Sequence, residues 1–316
     1  MDKNARIFVA GHRGMAGSAL LRNLASRGHD NVVTRSRAEL DLADQAAVER
    51  FFRDEAIDVV ILAAAKVGGI LANDTYPADF LYLNLIIEAN VIHSAYRAGI
   101  QRLVFLGSSC IYPREAPQPI KEDYLLTGPL ESTNECYAIA KIAGIKLCEA
   151  FNRQFGTQYV SLMPTNLYGP NDNYDLKTSH VLPALLRKAH EAKVSGADSI
   201  SVWGTGRARR EFLHVDDMAD AAVFMLERGL GGGWYNVGCG ADVTIEELAS
   251  AAMHAVGLDG RIEFDVSKPD GTPQKLLDIS KLAELGWRAK IGLQEGLAAT
   301  YEDFLQNYET QVLERA

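Results

Sequence analysis

The chain has 316 residues, enough for one large or two moderate domains, and its 47% hydrophobic and 23% charged residues are ordinary for a globular protein. A formal net charge of −9 argues against general nucleic-acid binding, which needs a basic face, while a local cluster of cations can still hold an anionic small molecule. The four cysteines, Cys110, Cys136, Cys148 and Cys239, form no C-x-x-C pair, so no zinc site, dithiol motif or other metal centre is expected.

Met1–Arg6 runs straight into a short apolar stretch without a signal-peptide core. No apolar run approaches the roughly 18 residues of a membrane span. A cytoplasmic protein with free thiols and no membrane contact is the expectation. In chain order, residues 6–10 read as a buried strand, followed by a glycine-rich turn and a helix to about Arg27, with Gly28 where it would stop. Asn31–Arg35 reads as a strand, Asp44–Glu55 as a helix and Val59–Ala65 as a strand. Pro77–Ala98 reads as a long helix with proline in its first turn, stopping at Gly99. Leu103–Ser108 predicts a strand, Tyr137–Phe155 a helix and Tyr159–Pro164 a strand.

This alternation implies an α/β protein with a Rossmann-type doubly wound parallel sheet and helices on both faces. It loosens after about residue 170. Val181–Ala192 reads as a helix capped by Ser179, Ile200–Trp203 and Trp234–Val237 as short strands, and Ile245–Val256 and Leu293–Asn307 as helices. The expected division is a first domain over 1–170, with returning segments near 212–240, and a smaller α/β domain over 171–316.

The first turn, Gly11-His12-Arg13-Gly14-Met15-Ala16-Gly17, has G-x-x-G-x-x-G spacing. Glycines there permit a tight turn, close backbone approach to a pyrophosphate and close helix–strand packing, with a helix N-terminus facing the phosphates. Where an acidic residue would bind the adenosine ribose, the chain reads Thr34-Arg35-Ser36-Arg37. Arginine suits a 2′-phosphate, so NADP(H) is favoured over NAD, with Arg13 as a further phosphate contact and Glu39 as the one nearby acid. Asp41 and Leu42 are expected near the adenine edge.

Tyr137 and Lys141 are four apart and share one helix face. A nearby ammonium favours phenolate, so a lowered tyrosine pKa and a proton donor to a carbonyl are expected. The pair follows a strand ending in Ser108-Ser109, and ligands of doubly wound sheets bind at such strand ends. A hydroxyl there can bond the same substrate oxygen.

With Gly107-Ser108-Ser109-Cys110-Ile111-Tyr112-Pro113, Pro164-Thr165-Asn166-Leu167-Tyr168-Gly169-Pro170, Ser179-His180-Val181 and Arg210–Asp217, these features resemble the extended short-chain dehydrogenase/reductase family over nearly the whole chain. Within it they are similar to 3,5-epimerase/4-reductases that act on GDP-4-keto-6-deoxy-D-mannose. Cys136, where such proteins more often have proline, and the short Gly231–Gly233 loop depart from the pattern. The resemblance implies NADP(H) held by Gly11, His12, Arg13, Gly14, Met15, Ala16 and Gly17, by Arg37, Asp41 and Leu42, and by Leu106, Gly107, Ser108 and Ser109. Lys141, Pro164, Thr165, Asn166, Leu167 and His180 complete that set.

The same resemblance implies Ser108, Cys110, Tyr137, Lys141 and His180 as catalytic, with Cys110 the base and His180 the acid. Their ordinary pKa values, about 8.5 and 6.5, suit proton exchange near neutrality, but the sequence alone leaves open which is which. Arg187-Lys188 and Arg207-Ala208-Arg209-Arg210 are candidate cations for a pyrophosphate, and Trp203 offers a flat apolar face. The resemblance selects Lys188, Trp203, Arg210 and Asp270. A homodimer is expected from relatives; the long helices over 77–98 and 137–155 would form its face or, equally, pack in the core. Two rivals stay open: a nucleotide-sugar 4-epimerase or 4,6-dehydratase with tightly bound NAD, and a non-catalytic NADP(H) sensor.

Overall fold

The computed structural model describes residues 1–268 and 270–308. Pro269, in the Ser267–Gly271 segment, and residues 309–316 of the expected C-terminal domain lie outside them. The first half alternates as the sequence predicts: β1 (Ile7–Ala10), α1 (Met15–Ser26), β2 (Val32–Val33), α2 (Gln45–Asp54), β3 (Val59–Leu62), α3 (Ile70–Thr75), α4 (Pro77–Arg97), β4 (Arg102–Leu106), α5 (Glu135–Phe155) and β5 (Gln158–Pro164). β2 is shorter than expected, and α3 has no counterpart in the sequence reading. Asp44 caps α2 by accepting from the Ala47 amide at 3.0 Å.

The second half carries β6 (Asn166–Tyr168), α6 (Val181–Ser195), β7 (Ser199–Trp203), β8 (Arg209–His214), α7 (Val215–Arg228), β9 (Trp234–Val237), β10 (Asp242–Thr244), α8 (Ile245–Val256), β11 (Arg261–Asp265), β12 (Gln274–Lys275), α9 (Ser280–Glu284) and α10 (Leu293–Tyr308). The expected Ser179 cap does not form. His180 occupies the position before α6, without a side-chain capping bond, and the Ser179 hydroxyl is buried without a partner among the described residues.

Six strands form one parallel sheet in the order β2-β1-β3-β4-β5-β9. Successive residues of its central strands are buried on opposite faces. Phe8, Val60, Leu103 and Phe105 pack with α2, α4 and α5, while Ile7, Val9, Ile61 and Val104 pack with α1 and α7. Burial on both faces is why these strands read as continuous apolar runs. The strand order reverses direction between β1 and β3, and the crevice at their carboxyl ends is where such sheets bind ligands. β6, β10 and β12 join β8 in a second sheet, and β7 pairs with β11. A third apolar cluster lies under α6, α8 and α10. Among the described residues no helix is long and apolar enough to cross a membrane.

Candidate active site

The turn after β1 fits a pyrophosphate by its steric limits. Gly11 has φ +88°, and a Cβ there would sit 2.7 Å from the Ala64 backbone; one on Gly17 would sit 2.1 Å from the Gly11 carbonyl oxygen. Both glycines are therefore required for packing. Gly14 differs, because a Cβ there would meet only the Gly11 oxygen, at 3.6 Å. It stands at the cap position of α1 and brings no side chain to the helix end, so the first-turn amides face an open approach.

The two arginines after β2 diverge. Arg35 binds the Glu55 carboxylate and lies 5.4 Å over the Phe51 ring, so it is committed to the fold. Arg37 has a 78% exposed side chain and only a long 3.5 Å contact with Asp41. Glu39 turns back to accept from the Ser36 amide and hydroxyl, each at 2.7 Å, and these bonds hold its pKa below the usual range. Asp41 caps the following turn at the Ala43 amide, while Leu42 packs against the core and its carbonyl accepts from Asn90. Thr165 and Asn166 donate to the Glu211 carbonyl at 3.1 and 2.8 Å, bracing the segment after β5 against β8.

At the end of β4, Ser108 caps one turn of 3-10 helix, Ser109–Ile111. Its hydroxyl accepts from the Cys110 amide at 3.3 Å and stands beside the Tyr137 phenol and the Cys110 thiol, favouring the charged form of each. One oxygen thus gathers three of the predicted residues. Tyr112 anchors the turn through a 2.6 Å bond from its hydroxyl to the buried Asn236 amide oxygen. Phe80 meets Tyr137 edge-on with centroids 6.3 Å apart.

The expected lowering of the Tyr137 pKa is overturned. Its pKa lies well above the ordinary phenol value, first through burial and then through the negative charges of Cys110 and Glu88, with the Ser108 bond opposing. Lys141 Nζ lies 5.8 Å from the Tyr137 ring centroid, donates to the Leu106 carbonyl at 3.0 Å, and pairs with Glu88 at 3.1 Å. The sequence reading did not include this carboxylate. The signal was present: one glutamate in the apolar run Leu85-Ile86-Ile87-Glu88-Ala89-Asn90-Val91-Ile92 of α4.

Burial also pushes the Cys110 thiol up, while Lys275, Ser108 and Lys141 hold it down. His180 is an exposed residue immediately before α6. Its ring reaches solvent but is crowded by protein, and this, together with Lys275, disfavours the imidazolium. Lys275 is felt by both groups and was not singled out in the sequence, because β12 is only two residues long and carries no pattern. β12 pairs with β8, setting Lys275 beside Arg210 in register, and Glu211 fixes that strand by accepting from the Leu277 amide at 3.0 Å.

On the substrate side, burial disfavours the Arg210 cation while neighbouring Asp270 favours it. Asp270 accepts from the Thr205 amide and hydroxyl at 2.7 and 2.8 Å. Lys188 donates to the Ser201 carbonyl at 2.8 Å, and burial disfavours its charge. Trp203 is 57% exposed, with the Lys268 ammonium 5.5 Å from its ring centroid. The other cations have structural partners or face solvent: Arg187 holds Glu191 and the Tyr174 carbonyl, Arg209 holds Asp242, and Arg207 is exposed.

This doubly wound sheet, with its glycine turn and Ser108–Tyr137–Lys141 cluster, is matched over residues 7–238 by the NAD dependent epimerase/dehydratase family, and the chain belongs to that family of nicotinamide-dependent enzymes. Within it the chain is similar to GDP-L-fucose synthases. It is 60% identical to GDP-L-fucose synthase 1 of Arabidopsis thaliana, over 97% of this chain and 95% of that one. It is 56% identical to the GDP-L-fucose synthase of Escherichia coli K12, over 96% and 98%. A solved GDP-L-fucose synthetase from Naegleria fowleri bound to NADP superposes with a TM-score of 0.89 at 26% identity, covering 98% of this chain and 97% of that one.

Proposed function

We propose that this chain converts GDP-4-keto-6-deoxy-D-mannose to GDP-L-fucose, by epimerisation at C3 and C5 followed by reduction at C4 with NADPH. The observation that carries this reading is the Ser108 hydroxyl with both the Cys110 thiol and the Tyr137 phenol beside it. A simple keto-reductase needs the phenol and the serine; it has no use for a thiol at the same oxygen.

Inversion at a carbon beside a ketone needs a base on one face, an acid on the other and a donor to the enolate oxygen between them. At C3 and at C5 alike, Cys110 takes the proton, His180 returns one to the opposite face, and exchange with solvent restores thiolate and imidazolium between the two inversions. Ser108 and Tyr137 donate to the C4 oxygen and steady the enolate. The nicotinamide supplies the hydride that reduces C4, and NADPH becomes NADP⁺. Tyr137 gives its proton to the C4 oxygen, so the carbonyl gains one hydride and one proton and becomes the alcohol.

Arg37 is the proposed partner of the 2′-phosphate. The exposed guanidinium, the commitment of Arg35 to Glu55 and the local use of Glu39 by Ser36 support NADP(H) over NAD. Lys188 and Arg210 are assigned to the substrate diphosphate, Trp203 to a flat ring, and Asp270 to orienting Arg210. Residues 1–170, with 212–240 returning, form the proposed cofactor domain, and 171–316 the substrate domain. The protein is assigned to the cytoplasm as a homodimer, by its resemblance to such enzymes.

The test is to supply GDP-4-keto-6-deoxy-D-mannose and NADPH in heavy water. NADPH is consumed and deuterium enters C3 and C5 of the product. Reduction without deuterium at either carbon removes the epimerase half. For Cys110→Ser, exchange at both carbons is lost with the fold retained, and unchanged exchange excludes the thiol.

A further inference from the structure

His180 must be aimed, yet its side chain is exposed and makes no capping bond among the described residues. Lys275 acts on both His180 and Cys110, so the ring belongs to the same site as the thiol. An acid that serves one face of a carbon tolerates little displacement, because a shift of about 1 Å can cost on the order of 10²-fold in rate. The aim is therefore set by the backbone before it, which is a closed turn. The Asp175 carboxylate accepts from the Lys177 and Thr178 amides at 3.0 and 2.9 Å and from the Thr178 hydroxyl at 2.9 Å. The Asp175 carbonyl accepts from the Ser179 amide at 2.8 Å.

This turn is joined to the loop after β3. The Gly69 amide donates to the Thr178 carbonyl at 2.9 Å. Behind it, the buried Asn73 side chain donates to the Gly68 and Gly69 carbonyls at 2.8 and 3.1 Å, so the Gly69 peptide is held from both sides. The same loop reaches the rest of the site. Ala64 stands against Gly11 of the glycine turn, and Gly68 lies against Phe80, the ring that meets Tyr137 edge-on. Gly69 has φ −68° and ψ 178°, extended geometry open to any residue, so its backbone does not demand glycine. The space does. A Cβ there would stand 2.8 Å from the Ser179 carbonyl oxygen and 3.3 Å from that of Thr178. The absent side chain lets the two segments close on each other one residue before His180.

We propose that Gly69 is a positioning residue that aims His180 by clasping the 175–179 turn to the loop after β3. The inference rests on His180 being the acid of the function proposed above. With the clasp closed, Cys110 takes a proton from one face and His180 returns one to the other, so the carbon inverts. With the turn displaced, Cys110 still takes the proton, exchanges it with solvent and returns it to the same face. Isotope exchange then continues while inversion is lost.

The experiment uses the full chain with GDP-4-keto-6-deoxy-D-mannose and NADP⁺ in heavy water, so that nothing is reduced, and follows exchange and inversion at C3 and C5 by nuclear magnetic resonance. In the wild type inversion keeps pace with exchange. In Gly69→Ala inversion falls roughly ten- to hundred-fold relative to exchange. A loss of general structure lowers both rates in proportion, and that result, or an unchanged ratio, overturns the proposal. In a His180→Gln background Gly69→Ala should leave the ratio where His180→Gln put it, since the two act through one group; a further full drop overturns the route through His180. If Gly69→Ala does not fold, Asp175→Ala, on the exposed side of the turn, is read for the same ratio, and an unchanged ratio there overturns the proposal. A wild type without exchange at either carbon sinks the substrate assignment itself, whereas normal wild-type inversion with an unsplit variant sinks only the role of Gly69.

Discussion

The Cys110 amide donates to the Ser108 hydroxyl at 3.3 Å, and the Tyr137 phenol stands beside the same hydroxyl, so the base and the reductive acid flank one polar group. That hydroxyl favours the charged form of both groups. For Ser108→Ala we expect NADPH oxidation and deuterium exchange to fall together, each on the order of 10²–10³-fold, as for loss of one oxyanion donor. The two rates and the thermal midpoint are measured side by side. Loss of one rate alone would separate the roles.

Lys275 favours the Cys110 thiolate and disfavours the His180 imidazolium. Lys275→Met therefore raises both pKa values. The pH profile of deuterium exchange should move to higher pH on both limbs, by roughly one unit or more. A profile that moves on one limb, or on neither, would mean that the ammonium does not act on both groups.

Arg37 and Arg35 should part company on substitution. Charge-assisted hydrogen bonds contribute about 1.5–3 kcal/mol, so Arg37→Ala should weaken NADPH roughly ten- to hundred-fold with NADH little changed. Arg35→Ala instead removes the Glu55 pair and the cover over Phe51, and should lower thermal stability. Fluorescence titration with both cofactors decides; equal weakening of NADPH and NADH by Arg37→Ala would remove that residue from the 2′-phosphate site.

Asp172 is 7% exposed, accepts from the Asn173 amide at 2.7 Å and has no partner for its other oxygen among the described residues, and burial pushes its pKa up to about 7. The folded carboxyl binds its proton more tightly than the unfolded one. Its ionisation therefore destabilises the fold progressively from about pH 4 to 7, and fully above that. Asp172→Asn should stabilise at pH 8 by on the order of 1–3 kcal/mol and little at pH 5. Denaturant unfolding at the two pH values measures this, and an equal difference at both would assign the effect to packing.

The sequence by itself determined the parallel sheet, the glycine turn and the long helices, because strands buried on both faces and capped helices are written in local runs of residues. It also singled out Ser108 at a strand end and Tyr137 on the helix that follows, and through its resemblance Cys110 and His180, since short motifs carry them. Only the tertiary structure decided their electrostatics. Glu88 and Lys275 reach the site from α4 and β12, distant in sequence; burial, with the charges of Cys110 and Glu88 behind it, reverses the expected direction at Tyr137, while Lys275 favours the Cys110 thiolate and disfavours the His180 imidazolium. Likewise, two arginines on either side of Ser36 that read alike in sequence took different fates, because Glu55 and Phe51 stand beside one and not the other. A side chain's type is local information; its pKa and its partner depend on which distant groups the fold brings within a few ångströms.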